Sequence, residues 1–179
     1  MLIKILIGLA VLVALLVVLV AVQPSEFKVT RTATVAAPPS AVFAQVNDFH
    51  KWEAWSPWAK LDPAARNTFE GAPAGTGAGF AWAGNSKVGE GRMTIVESRP
   101  NELVRIKLEF LKPFAATNTA EFTFKPEGDR TQVTWSMFGR NNLVGKAVCL
   151  VMNMDKTLGG EFDKGLAAMK SVAEAAAKN

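Results

Sequence analysis

The sequence predicts an α+β fold: a curved antiparallel sheet wrapped around one long C-terminal helix, preceded by one N-terminal transmembrane helix. Three observations carry this. Residues 5–22, ILIGLAVLVALLVVLVAV, form an unbroken apolar run. From Phe27 onward, apolar residues recur at every second position in several segments separated by turn residues, the period of half-buried strands. The chain then closes with Leu158, Phe162, Leu166, Met169, Val172 and Ala176 at helical spacing.

A helix over residues 5–22 rises about 27 Å, close to the hydrocarbon thickness of a bilayer. No polar face appears at any spacing, which argues against a buried core helix. A cleaved signal peptide is the competing reading. Its apolar region is shorter, and it ends in a small-x-small site. Here Val20-Ala21-Val22 precedes Gln23-Pro24, so an uncleaved anchor is expected. The α-amine and Lys4 lie before the run, and Lys28 and Arg31 lie after it. A short basic N-terminus places the following domain on the extracytoplasmic side. Residues 1–22 are thus assigned to the anchor, 23–26 to a short linker and 27–179 to one ligand-binding domain. Four extended residues reach about 14 Å at most, so the domain stays near the bilayer.

Phe27, Val29, Ala33 and Val35 share one strand phase, with Arg31 as the charged exception on it. Pro38-Pro39-Ser40 opens a short helix carrying Val42, Phe43 and Val46. Trp52 and Trp55 then share one face of a helical turn that Pro57 stops. The next strands contain Phe80 and Trp82, then Met93 and Ile95, then Val104 to Phe110. The last two contain Ala120 to Phe124 and Val133 to Met137. Pro126-Glu127-Gly128-Asp129 is a hairpin turn between them. Asn142 to Asn153 is an unusually apolar helical stretch ahead of the final helix.

Composition removes several chemistries. One His and one Cys build neither a multi-histidine metal site nor a disulfide, and without Tyr there is no phenolic acid or base. No metal and no cofactor is expected. A net charge of +4, one unit of it on Lys4, lacks the dense basic stripe that nucleic acid calls for. His50 follows a helix end and reads as a surface or capping residue, and Cys149 as a structural thiol in an apolar run. The stretch Gly71 to Gly79 lacks the ending of a phosphate loop and precedes a strand rather than a helix.

Several pieces occur in an order that resembles the SRPBCC, or START-like, superfamily, specifically its polyketide cyclase/dehydrase and lipid transport branch. They are Ala37-Pro38-Pro39 with Val42-Phe43, Asp48-Phe49-His50-Lys51-Trp52 and Trp55-Ser56-Pro57-Trp58. Gly89-Glu90-Gly91, Thr131 to Trp135 and Gly165 to Lys170 complete the series. The resemblance spans roughly residues 27–178. It implies a helix-grip fold whose cavity, between sheet and helix, binds hydrophobic ligands. It fixes no reaction, because members include carriers, cyclases and co-chaperone-like proteins.

Candidates to line such a cavity are Trp52, Trp55, Phe80, Trp82, Met93, Phe110, Phe122, Trp135 and Met137, with its mouth expected near the Trp52–Trp58 segment and the apolar stretch 143–152. The same residues would serve equally as ordinary core. Arg31 is either a polar anchor for the ligand or a charge paired with an acid, for which Asp48, Glu70, Glu90 and Glu97 are candidates. Lacking a nucleophile–base pair, the sequence favours a membrane-anchored binding domain for a lipid, quinone or polyketide-like compound. A cyclase/dehydrase-type enzyme using the same cavity and a protein-interaction module are the alternatives.

Overall fold

The computed structural model describes residues 1–151 and 153–178. In chain order, α1 spans Leu2–Ala21, β1 Glu26–Val35 and α2 Pro39–Val46, followed by a 3-10 helix over Phe49–Ala54. Strands β2 Arg66–Gly71, β3 Ala78–Ala83, β4 Glu90–Arg99, β5 Leu103–Lys112, β6 Ala116–Glu127 and β7 Arg130–Arg140 come next. Helices α3 Leu143–Val151 and α4 Met154–Ala176 end the chain. Met152, which belongs to the apolar stretch expected before the final helix, lies outside the described residues.

All neighbouring strands are antiparallel, in the order β1-β7-β6-β5-β4-β3-β2. The outer pair joins first to last, so β1 lies beside β7 and under α4, while β2 forms the far edge. Irregular register in β4, between Ile95 and Glu97, helps the sheet bend. Glycine matters most at Gly91, where an added Cβ would run into the Trp82 indole across the β3–β4 pair.

Alternation along the strands decides the faces. Val104, Ile106 and Leu108 point inward with Phe122, Phe124, Val133, Trp135 and Met137. The outer face is ionic: Arg92 and Lys107 both meet Glu109 at 2.8 Å, Lys112 meets Glu90 at 2.8 Å, and Arg105 joins Glu97 and Glu121. Such exposed pairs each add little stability. Most of the stability comes from burying the inner face, at about 1.5–3 kcal/mol for each large side chain fully removed from water.

Helix α4 covers that face through Gly159, Phe162, Gly165, Leu166, Met169 and Ala173. Its inward stripe ends on Ala173, and Ala176, expected on the stripe, is exposed. The Asn153 side chain accepts from the Lys156 N–H at 2.9 Å, and Asp155 in the first turn suits the positive end of the helix dipole. Helix α2 begins with Pro39 at its first position, where a missing N–H costs nothing.

One element departs from the sequence expectation. Strand β2 is fully exposed, so it has no apolar alternation to betray it. Its presence turns the glycine-rich stretch into a hairpin connection. Gly71 sits at φ 72° with the Gly77 carbonyl where a Cβ would be, and the Gly75 and Gly77 amides donate to Asn47 and Ile95 carbonyls. Helix α1 has no buried residue and is long and apolar enough to cross a membrane.

Candidate ligand-binding site

Between the sheet and α4 stands a column of rings. Trp135 of β7 lies opposite Phe122 of β6 and stacks on it, centroids 4.8 Å apart at 27°. Its other face meets Phe162 of α4 at 4.1 Å and 8°. Trp55 and Trp58 approach Trp135 edge-on, at 5.7 and 5.8 Å. Gly165 makes this possible, since a Cβ there would lie 2.8 Å from Trp135 Cζ3 and 3.0 Å from Pro57 Cδ. Offset and edge-on pairs each add about 0.5–1.5 kcal/mol beyond burial. This column occupies the space where the sequence suggested an open interior.

The indole N–H groups separate the tryptophans by role. Trp52 and Trp55 are buried and donate to the Val46 and Gln45 carbonyls, both at 3.0 Å, so they fasten the 3-10 segment to α2. They are core residues, whereas the sequence placed them near a mouth. Trp82 donates to the Val88 carbonyl at 3.0 Å and is half-buried. Trp135 is 2% exposed, and its Nε1 has no hydrogen-bond partner among the described residues. An unsatisfied buried donor costs about 1–3 kcal/mol.

The remaining candidates divide by burial. Met93, Phe122 and Met137 are buried, whereas Phe80 and Phe110 are half-buried around Trp82. Trp58 is half-buried at the edge of the column, 6.3 Å from Phe162. The apolar inner face therefore runs from a closed column at α4 to half-covered rings on β3 and β5.

Arg31 faces α4 rather than any acid proposed from sequence. Its Nη1 meets Asp155 Oδ1 at 2.9 Å and its Nε meets Asp163 Oδ2 at 3.2 Å, while Nη2 also donates to the Asp155 carbonyl at 2.9 Å. Gly159 leaves room for the guanidinium, which would collide with a Cβ. The hydrogen bond from Arg31 holds the Asp155 carboxyl below its usual range, and Asp155 in turn raises Arg31. Distance in sequence hid these partners; only the α4–β1 packing brings them together.

His50 sits outside the column. Its Nδ1 lies 2.8 Å from Asp48 Oδ1, the same oxygen that caps the 3-10 helix through the His50 N–H. The ring stacks on Phe69 at 4.0 Å. Two surface clefts adjoin it, one of about 250 Å³ against Phe69 and the β2–β3 hairpin, the other of about 400 Å³ beside Lys51 and Glu53.

Phe162 and Gly165 complete the column but were not among the sequence candidates. Helical spacing placed Phe162 on the inward stripe; which strand residue it would meet was not readable from spacing.

The family profile described as polyketide cyclase / dehydrase and lipid transport matches residues 26–174. Solved structures share the fold. A protein of unknown function from Staphylococcus aureus superposes with TM-score 0.65 at 12% identity, covering 89% of this chain and 99% of its own. A Thermobifida fusca protein gives 0.62 at 22%, covering 82% and 92%. The di-domain ARO/CYC StfQ of the steffimycin biosynthetic pathway gives 0.64 at 15%, covering 87% of this chain and 53% of its own. No curated protein matches the chain in sequence.

Proposed function

The chain belongs to the polyketide cyclase/dehydrase and lipid transport family, and on that premise we propose that it is a membrane-anchored binding domain for a hydrophobic small molecule. The ligand enters between the sheet and α4, carrying an apolar body and at least one acceptor oxygen. One observation carries this reading: the buried, unpartnered Trp135 Nε1 within an otherwise apolar column. A donor kept in that state is stabilised when a ligand oxygen reaches it, and the surrounding rings exclude water from the bond. Entry displaces Trp58, the half-buried ring at the column's edge. Helix α1 spans the membrane in this reading, with the domain on the extracytoplasmic side.

An enzyme of the cyclase type would hold an acid in the same interior with its pKa raised. Among the described residues, the buried polar residues are Gln45, Asn118, Thr131 and Ser136, none of them a carboxyl. Binding is therefore the better supported reading.

The test is titration of the full-length protein in detergent with palmitate and a short-chain ubiquinone, following tryptophan fluorescence. Saturable binding is expected for at least one. Trp135→Phe keeps the ring column but removes the donor, and should weaken that binding about 3- to 10-fold, the worth of one neutral hydrogen bond. Absence of binding by either probe, or unchanged affinity in a folded Trp135→Phe, overturns the reading. Protease protection in intact spheroplasts tests the side of the membrane.

A further inference from the structure

Helix α3 carries its apolar residues on the outside. Leu143, Val144 and Leu150 are 64%, 45% and 40% exposed, and Ala147 is exposed with them. At 100° per residue, Leu143, Ala147 and Leu150 fall in one narrow arc, with Val144 at its border. Gly145, Val148 and Cys149, on the other side, are half-buried. A helix with this pattern leaves its greasy side in water unless something apolar covers it.

The neighbours of α3 indicate what covers it. It packs against α1, and Lys146 Nζ donates to the Ala21 carbonyl at 2.9 Å, at the C-terminal end of α1. That end of the apolar helix marks the boundary between acyl chains and headgroups, so α3 is held at that depth. The strand register brings a second apolar feature to the same end of the sheet. Glu26 pairs with Arg140, Gly139 with Asn118, and Ala116 with Phe110, so the β5–β6 connection lies at the same end of the sheet as the start of β1, across β7. This connection exposes Leu111 and Phe114, at 56% and 60%.

Lys112 follows Leu111 in the chain, the register sets the β3–β4 turn with Lys87 at the same end of the sheet, Arg140 ends β7 just before α3, and Lys146 lies within α3. Glu26 and Glu90 lie among them, paired with Arg140 and Lys112, and Asp62 accepts from the Asn85 N–H in the turn that carries Lys87, so the excess positive charge at this end is small and Lys146 supplies it next to α1. Exposed apolar side chains with a lysine at the helix border, held at the end of an apolar span, match a bilayer surface.

We propose that α3, together with Leu111 and Phe114, is a membrane-docking surface: α3 lies in the plane of the bilayer with its Leu143–Leu150 stripe among the upper acyl chains. The proposal rests on α1 spanning the membrane. It adds a second contact, which orients the domain, to the anchor, which only tethers it.

The test uses the full-length chain in phosphatidylcholine–phosphatidylglycerol vesicles. Leu143→Cys, Leu150→Cys and, in α1, Leu12→Cys are each made in a Cys149→Ser chain and labelled with an environment-sensitive fluorophore. Leu143 and Leu150 are exposed, so their replacement leaves folding intact, which circular dichroism checks. The labels at 143 and 150 should be blue-shifted, quenched by lipid carrying a doxyl group high on the acyl chain, and insensitive to aqueous iodide. If the Leu12 label is quenched by deep doxyl lipid while the α3 labels respond to iodide, the docking surface is refuted and the span stands. If the Leu12 label meets no lipid, the anchor reading fails and docking fails with it. Labels on α3 shielded from both quenchers would show a protein cover, such as a second copy, and overturn the proposal.

Discussion

Truncating Trp135 removes the ring that joins β7 to α4, since Phe122 and Phe162 stack on its opposite faces. Trp135→Ala should cost about 3–5 kcal/mol in urea unfolding of the full-length protein, a large share of an ordinary domain's stability. Trp135→Phe should cost less than about 1.5 kcal/mol, because it keeps most of the packing and discards the unpartnered donor. At the acid side, Glu109 dominates. Hydrogen bonds from Arg92 and then Lys107 lower its pKa from 4.5 to about 2. A carboxyl whose pKa falls on folding stabilises the folded state above its unfolded value, and that contribution disappears as pH drops through the folded one. Stability should therefore decline between about pH 4.5 and 2, and Glu109→Gln should flatten that part of the profile in thermal melts. Little of this residue chemistry was legible beforehand. The alternation of β5 put Glu109 on the polar face, but which cations it would meet depends on the β4 register. Arg31 teaches the same lesson: its anomalous phase was visible at once, while its acids lie more than a hundred residues away.

Among the elements, α4 offers a controlled comparison between glycines of one helix. A Cβ at Gly160 meets nothing, whereas one at Gly165 meets Trp135 and Pro57. Gly160→Ala should stabilise by about 0.5–1 kcal/mol through helix propensity alone. Gly165→Ala gains the same propensity but overpacks the column, and should be net destabilising, by about 1–3 kcal/mol before that gain is set against it. Denaturation midpoints of the two variants should move in opposite directions. The helix itself was readable because its apolar stripe persists over many turns. Strands β5, β6 and β7 were readable because one face is buried and the other is largely polar, ionic on β5 and hydroxyl-lined on β7. Strand β2 was not, because an edge strand exposed on both faces carries no burial period; Phe69 is its one large apolar residue, and that ring lies against His50 and its cross-strand partner Phe80.

For the whole molecule, the apolar N-terminal run and the order of elements were the legible features, and that order, with the motifs between Ala37 and Lys170, led to the fold and the family that the profile match then showed. The filled interior was not legible, since volume depends on how rings from three elements interlock. Full-length protein should stay with membranes through an alkaline carbonate wash, while a chain beginning at Glu26 should not. Release of the full-length chain, or a mature N-terminus near Gln23, would contradict the anchor.

The junction between α1 and the domain has a mechanical consequence. The Asn141 N–H donates to the Ser25 carbonyl at 2.7 Å, Gln23 Nε2 reaches back to the Leu19 carbonyl at 3.2 Å, and Lys146 grips the Ala21 carbonyl. Bonded on both sides, this short junction holds the domain close to the end of α1. On the proposed reading, in which α1 spans the bilayer and the domain binds a hydrophobic molecule, the site works as a fixed station, and whatever supplies or removes its ligand has to arrive by lateral diffusion.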